Sequence, residues 1–233
     1  MTSTPDTLRR LWQRSLDLLF PPRCVSCGRE GAFLCGTCLA MMPRLEPPYC
    51  AVCAKPTPSM FCRCQDTPLA VDGVRAPFRM EGAARKAVHA LKYSNLRALA
   101  PELARLMAQH LEANPIPGDA LVPVPLHPKR LRERGYNQAE LLARSVGKLT
   151  GLPILNEALA RTRPSAPQVS LASREARARN VQDAFQCARS VEGLALILVD
   201  DVVTTASTVS ACAAALKARG ATSVWALALA REV

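Results

Sequence analysis

Two groups of residues in this 233-residue chain have the types and spacing to do chemistry. The first is Asp200-Asp201, followed after two valines by Thr204-Thr205-Ala206-Ser207-Thr208. Threonine and serine hydroxyls beside a helix N-terminus suit a phosphate, because the first-turn N–H groups have no partner inside the helix and the dipole favours an anion. Two carboxylates cannot hold that phosphate, since like charges repel. They suit the hydroxyls of a sugar attached to it, or a hard cation such as Mg2+ that bridges to further phosphates. A phosphorylated ribose answers both halves.

The second group is eight of the ten cysteines: Cys24, Cys27, Cys35 and Cys38, then Cys50, Cys53, Cys62 and Cys64. A C-x2-C pair forms a tight knuckle that turns two thiolates toward one ion, and two knuckles complete a tetrahedral shell. Two structural Zn2+ ions are therefore expected. Cys62-x-Cys64 is one residue shorter than a standard knuckle. Pairing in sequence order gives two ribbons; the spacing leaves a cross-braced arrangement open. Arg23, Arg29, Lys55 and Arg63 lie close enough in sequence to favour thiolates. Cys187 and Cys212 stand alone and read as core residues.

The elements that must position the acidic pair are legible around it. Residues 194–199 form a short apolar run, read as a buried parallel strand whose carboxyl end carries the two aspartates. Val209, Cys212, Ala213 and Leu216 then recur at helical spacing, and Gly220 closes that helix. In open α/β sheets, ligands bind beyond the carboxyl ends of strands. An isolated Asp-Asp is more simply a turn cap, but the hydroxyl-rich turn favours a phosphate site. A receiver-type domain would carry its acidic strand early, with several strand–helix units following, whereas here only the strand at 223–230 remains. A phosphate-loop hydrolase is excluded by the lack of G-x-x-x-x-G-K-[ST].

Upstream, residues 71–80 alternate loosely like a strand, and 81–93 and 96–111 read as helices. Residues 121–126 form an apolar strand whose two prolines must lie at an edge or end. The basic stretch from His127 to Gln138 reads as a loop leading into a helix that ends near Thr150. Lys129 and Arg130 there could neutralise a pyrophosphate. Residues 161–180 are basic and poor in large apolar side chains, as expected of a flap with a short helix near 171–178. Residues 7–20 show an amphipathic helical face before Pro21-Pro22.

The formal net charge is +11, and residues 122–190 alone hold a surplus of seven positive charges. Such a surface attracts phosphorylated ligands, nucleic acid or anionic lipid, and charge alone does not separate these from a solvated basic face. No apolar run is long enough for a membrane span, and the N-terminus lacks an apolar signal core, so no membrane insertion and a cytoplasmic location are expected.

The stretch around Asp200-Asp201 resembles the signature by which type I phosphoribosyltransferases bind PRPP (5-phosphoribosyl 1-pyrophosphate). It departs from that pattern at Ala206, where the family usually has Gly. Val122-Pro123-Val124-Pro125-Leu126-His127-Pro128-Lys129-Arg130, then Arg134-Gly135-Tyr136-Asn137-Gln138, narrow the resemblance to the competence protein ComF/GntX family. Leu91-Lys92-Tyr93, Gln168 and 179–185 fit the same pattern.

The resemblance implies an α/β fold, a type I phosphoribosyltransferase-like parallel sheet flanked by helices, preceded by a double zinc ribbon. It divides the chain into an N-terminal helix (1–20), the zinc module (21–67) and the phosphoribosyltransferase-like domain (68–233). It implies Mg2+-PRPP with its 5′-phosphate on Thr204, Thr205, Ala206, Ser207 and Thr208. The ribose would lie against Asp200 and Asp201 as the catalytic carboxylates, and the pyrophosphate on Lys129 and Arg130. The activity implied is phosphoribosyl transfer to an acceptor. The alternative is a non-catalytic protein that handles single-stranded DNA beside other DNA-uptake proteins, with PRPP as ligand or regulator. Arg174, Arg177 and Arg179 would then contact the strand through salt-dependent phosphate contacts.

Overall fold

The computed structural model describes residues 21–58, 62, 64, 68–161 and 184–233. Its centre is β6 (Ala195–Val203), in which Leu196, Ile197, Leu198 and Val199 have no exposed surface. A strand covered on both faces needs a continuous apolar run rather than an alternating one, which is what these residues supply. On one side β6 pairs in parallel with β3 (Ala120–Pro123), and on the other with β7 (Ser223–Arg231). Beyond β7 lie β1 (Gly73–Arg75) and β2 (Phe78–Arg79), both parallel to it, so the order is β1-β7-β6-β3 with β2 alongside β7. The single strand expected over 71–80 is thus broken at Ala76-Pro77, where proline has no N–H for a ladder. The Pro77 carbonyl instead accepts from Leu45 N–H, and Arg79 N–H donates to the Pro43 carbonyl, stitching the zinc module to this edge.

One face of the sheet is covered by α2 (Gly82–Tyr93), α3 (Ala100–Ala113) and α5 (Gln138–Thr150). Their Val88, Leu91, Leu103, Met107, Leu142 and Val146 pack with Ile197, Val199, Leu227 and Leu229. The other face is covered by α6 (Ser207–Lys217), whose Val209, Cys212 and Leu216 pack with Leu196, Leu198, Val224 and Ala226. A two-stranded antiparallel ribbon of β4 (Leu159–Arg161) and β5 (Phe185–Cys187) joins this second layer. Cys187 and Cys212 are both buried in it, as expected of core residues. Pro123 ends β3, in keeping with the placement its missing N–H requires.

The basic stretch after β3 is a helix rather than a loop: α4 spans Pro128–Arg134. Proline at the first helical position costs no hydrogen bond, the His127 ring nitrogen accepts from Lys129 N–H at 3.2 Å, and Gly135 at φ 76° ends the helix.

The zinc module, which includes α1 (Gly36–Ala40), contributes to both layers: Cys24, Leu34 and Met42 to the first, Leu45, Cys50 and Cys53 to the second. The helix expected over 7–20 and the flap beyond Arg161, with its short helix, lie outside the described residues. Among the described residues, no helix is long and apolar enough to cross a membrane.

Candidate functional site

The cysteines settle into two clusters in sequence order. Cys24, Cys27, Cys35 and Cys38 form one and Cys50, Cys53, Cys62 and Cys64 the other, with the ligand atoms of each set all within 4.8 Å of one another. A tetrahedral ion with metal–sulfur bonds of about 2.3 Å sets its sulfurs about 3.8 Å apart. The separations Cys27–Cys35 at 3.7 Å, Cys50–Cys64 at 3.4 Å and Cys53–Cys62 at 3.5 Å suit that shell, including the shortened Cys62-x-Cys64 pair. The donor sets fit two zinc ions and exclude cross-bracing. Burial alone would push the Cys24 thiol up, but the backbone N–H groups of Cys35, Cys27 and Ser26 bring it down to about 6. Cys50 follows the same rule: burial raises it, while the N–H groups of Cys53 and Val52 lower it to about 7. At Cys24 and Cys50, backbone amides thus do the work expected of nearby cations; Arg23 is paired with Glu30 at 2.8 Å and Arg29 reaches Thr37.

At the carboxyl end of β6 the two aspartates have different surroundings. Asp201 is 2% exposed and ion-paired through Oδ2 to Lys92 Nζ at 2.6 Å, while Oδ1 accepts from Gln138 Nε2 at 3.3 Å. Lys92 is the penultimate residue of α2 and Gln138 the first of α5, so two helices of one layer converge on one carboxylate. Asp200 is partly exposed and accepts from Asp201 N–H at 2.8 Å. Burial, and next the charge of Asp201, push the Asp200 carboxyl well above the ordinary carboxylate range. Asp201 is therefore the anchored charge and Asp200 the one a cation or hydroxyl donor would relieve.

Every residue of Arg134-Gly135-Tyr136-Asn137-Gln138 helps to hold this arrangement. Arg134 donates to Gln138 Oε1 and lies 5.5 Å over the Tyr93 ring. Gly135 turns the chain at positive φ, and the Tyr136 hydroxyl donates to the Leu91 carbonyl beside Lys92. Asn137 caps α5 through Ala139 N–H at 3.0 Å and donates to the Val124 carbonyl at 3.0 Å. The segment is a clamp that ties α4, α5 and the end of α2 around Asp201.

The turn after β6 leads into α6 with Ala206 at φ 64°, ψ 1° and almost fully buried. Its methyl offers no oxygen to the helix N-terminus, and no side-chain cap closes it. Thr204 and Thr205 are exposed; Thr205 Oγ1 lies 2.9 Å from Ser207 Oγ and accepts a long bond from Ser207 N–H. First-turn amides without a side-chain cap, flanked by hydroxyls, are groups that suit an anion. Lys129 and Arg130 are exposed on α4, which follows the strand next to β6. Arg161 is the last residue of β4. Its guanidinium lies 5.2 Å over Phe185; burial and then the nearby Arg130 lower its pKa, while Asp200 works the other way. Asp200, Arg130 and Arg161 thus share one electrostatic neighbourhood. Arg174, Arg177 and Arg179 lie outside the described residues.

Four residues of this neighbourhood were not singled out for it by sequence reasoning: Lys92, Gln138, Arg161 and Arg231. For the first two the signal was present in Leu91-Lys92-Tyr93 and Asn137-Gln138, recognisable as motifs but with no stated role. For Arg231 the signal was a cation closing an otherwise apolar strand.

A double zinc ribbon ahead of a helix-flanked parallel sheet, with acids and a hydroxyl turn at the sheet's carboxyl edge, defines the class of protein. The family model of the double zinc ribbon domain matches residues 15–67. The chain is 34% identical over 215 residues to DNA utilization protein YhgH of Salmonella typhi, covering 86% of this chain and 91% of that protein. It is 37% identical over 151 residues to YhgH of Escherichia coli K12, covering 63% and 66%. It is 36% identical over 115 residues to competence protein F of Haemophilus influenzae, covering 47% and 50%. The chain belongs to this ComF/YhgH family. Among solved structures it aligns with the glutamine PRPP amidotransferase of B. subtilis at TM-score 0.40 and 21% identity, over 56% of this chain and 26% of that one. It aligns with a purine phosphoribosyltransferase of Pyrococcus horikoshii at TM-score 0.34 and 16% identity, over 57% and 72%. At these scores the family assignment rests on the sequence relatives.

Proposed function

We propose that the α/β domain binds Mg2+-PRPP at the carboxyl end of β6 and transfers its phosphoribosyl group to a nucleophilic acceptor. The observation that carries this reading is the uncapped start of α6 at Ala206, set directly after Asp200 and the anchored Asp201. The 5′-phosphate would take the cap's place, on the amides and hydroxyls of Thr204, Thr205, Ser207 and Thr208. Asp200 and Asp201 would face the ribose and Mg2+, with Lys129 and Arg130 on the pyrophosphate side. In transfer, the C1′–O bond to pyrophosphate breaks with its electron pair leaving on pyrophosphate, and the acceptor's lone pair forms the new C1′ bond. The acceptor's proton passes to solvent. The carboxylates would stabilise positive charge building on the ribose, Lys129 and Arg130 would stabilise the leaving group, and Mg2+ held by Asp200 and Asp201 would add to that stabilisation. A screen for pyrophosphate release from Mg2+-PRPP against bases, amines and single-stranded DNA tests this. Release that depends on one acceptor class supports it; none with any acceptor returns the site to ligand binding alone.

A second reading, handling of single-stranded DNA, is favoured by a groove of about 720 Å³ between Val25 of the first ribbon and the outer face of α2. Arg85, Lys86, His89 and Tyr93 line it with no acidic residue, and Tyr93 is 72% exposed. Cations along a groove with an exposed aromatic are what an unpaired strand needs for phosphate contacts and base stacking. The relatives' printed names, DNA utilization and competence, point the same way. Contact with about three to five phosphates gives a log–log salt slope of roughly −2 to −4. Fluorescence anisotropy with an oligonucleotide across a salt series measures it, and replacing Arg85, Lys86 and Tyr93 should flatten it. An unchanged slope would move the strand to the flap arginines.

A further inference from the structure

Arg231, the last residue of β7, is 3% exposed and has no ion pair with a carboxylate among the described residues. Instead, two nitrogens of its guanidinium face four backbone carbonyls. Nε donates to Cys53 at 2.7 Å, and Nη1 donates to Val203 at 3.1 Å, to Glu232 at 2.6 Å and to Thr204. Burying a cation is costly unless hydrogen bonds replace those it made to water, and these carbonyls supply such bonds. The planar fork fixes the directions of its donors, which a lysine ammonium on a flexible stem would not. Besides its own neighbour Glu232, the carbonyls it joins come from two segments distant in sequence. Cys53 belongs to the second cysteine cluster, and Thr204 opens the hydroxyl turn. The packing repeats this link: Cys50, Cys53 and Ala54 share one core with Val203, Ala206 and Val209.

We propose that Arg231 is the positioning residue of the phosphate turn, and that through it the occupancy of the second zinc site sets the turn's geometry. The proposal rests on the reading of the 204–208 turn as the phosphate seat. Loss of zinc frees the Cys50–Cys53 knuckle and with it the Cys53 carbonyl. The guanidinium then loses its Nε acceptor and no longer holds Thr204 in register with Val203. Among the described residues the first zinc site has no such contact: Lys86 Nζ reaches its Ser26 carbonyl at 2.7 Å, on the opposite face of the sheet.

The test uses the full zinc-loaded chain and three variants, Arg231→Lys, Cys62→Ser in the second site and Cys38→Ser in the first. Amide hydrogen exchange at 204–208 should speed up in Arg231→Lys, with both zinc ions retained, and in Cys62→Ser, but stay as in the wild type in Cys38→Ser. Mg2+-PRPP affinity by calorimetry should fall about tenfold in Arg231→Lys and in Cys62→Ser, a coupling of ordinary size. The double variant should be no weaker than either single one, because both break the same link. Unchanged exchange at the turn in Arg231→Lys, or equal acceleration in Cys38→Ser, overturns the proposal. If Cys62→Ser does not fold, Arg231→Lys alone decides it. Absence of PRPP binding in the wild type, with the exchange pattern intact, would sink the phosphoribosyl reading and leave the coupling standing.

Discussion

The two zinc ribbons use the same knuckle chemistry but brace opposite layers of one sheet. The first packs Cys24, Leu34 and Met42 with Ala83, Ala84 and Ala87 of α2, and its Ser26 carbonyl accepts from Lys86. The end of that helix supplies Lys92, the counter-ion of Asp201. The second packs Cys50 and Cys53 with Val203 and Ala206 and lends its Cys53 carbonyl to Arg231. One ribbon therefore stands behind the acidic half of the site and the other behind the hydroxyl turn. A site assembled at strand ends has flexible loops on it, and two small metal-closed modules hold those loops from either side.

The largest effect expected is metal removal. Structural zinc contributes about 10–16 kcal/mol in small ribbon modules, so stripping both ions should unfold the ribbons and loosen both halves of the site. Elemental analysis should give two zinc ions per chain; one would remove the second ribbon from the comparison, and none would end it.

Next comes the acidic half. Lys92→Met leaves the buried Asp201 carboxylate without its cation, a loss of about 3–5 kcal/mol for a broken buried pair. Urea denaturation measures this, and adding Asp201→Asn should restore much of the loss. Equal stability of wild type and Lys92→Met would mean that Asp201 is held by Gln138 and its helix alone.

A smaller effect lies at Asp200. Its carboxyl is raised by burial and then by Asp201, so the folded chain binds that proton more tightly than the unfolded chain, whose carboxyl titrates near pH 3.9. Above its raised folded value the group costs stability, and the cost is relieved as pH falls through that value toward about 3.9. Asp200→Asn should therefore be more stable than the wild type at neutral pH, and the gap should narrow on acidification. Thermal unfolding over a pH series measures the gap; a constant gap would contradict the assignment.

The smallest effect lies in the hydroxyl turn. Ala206 already sits at φ 64°, where a Cβ costs roughly 1–2 kcal/mol. Because the conformation is present without ligand, that cost falls on folding rather than on binding. The loss of a buried methyl and the freer unfolded chain of glycine offset much of it, so Ala206→Gly should gain under about 1 kcal/mol of stability. PRPP affinity should therefore stay within about twofold of the wild type, the equivalent of roughly 0.4 kcal/mol. Weaker binding in Ala206→Gly would show that the methyl itself seats the turn.

Much of this was legible in the chain because it is local. The apolar run into Asp200-Asp201 reads as a buried strand, and the clustered C-x2-C knuckles read as metal sites. The parallel sheet flanked by helices, behind a zinc ribbon, follows from those two facts and the resemblance. What the sequence hid is what depends on distant segments meeting. Nothing near Asp201 says that its counter-ion lies at position 92, more than a hundred residues earlier. The whole stretch from His127 to Gln138 reads as one basic loop, yet the partners of Arg134 to Gln138 are Tyr93, Leu91, Val124 and Asp201. The helical start at Pro128 was obscured by charge, although proline after a capping histidine favours it. Arg231 shows most clearly that a lone cation in an apolar strand is read by its partners, not by its neighbours.

The central claim, that the edge of β6 is a phosphoribosyl site, is tested most directly by calorimetry of the zinc-loaded full chain with PRPP and Mg2+. The wild type should bind one PRPP per chain in the presence of Mg2+, and Asp200→Asn, which keeps the size of the side chain but deletes its charge, should lose that binding. Undiminished binding in Asp200→Asn, or no heat with the wild type, would contradict it.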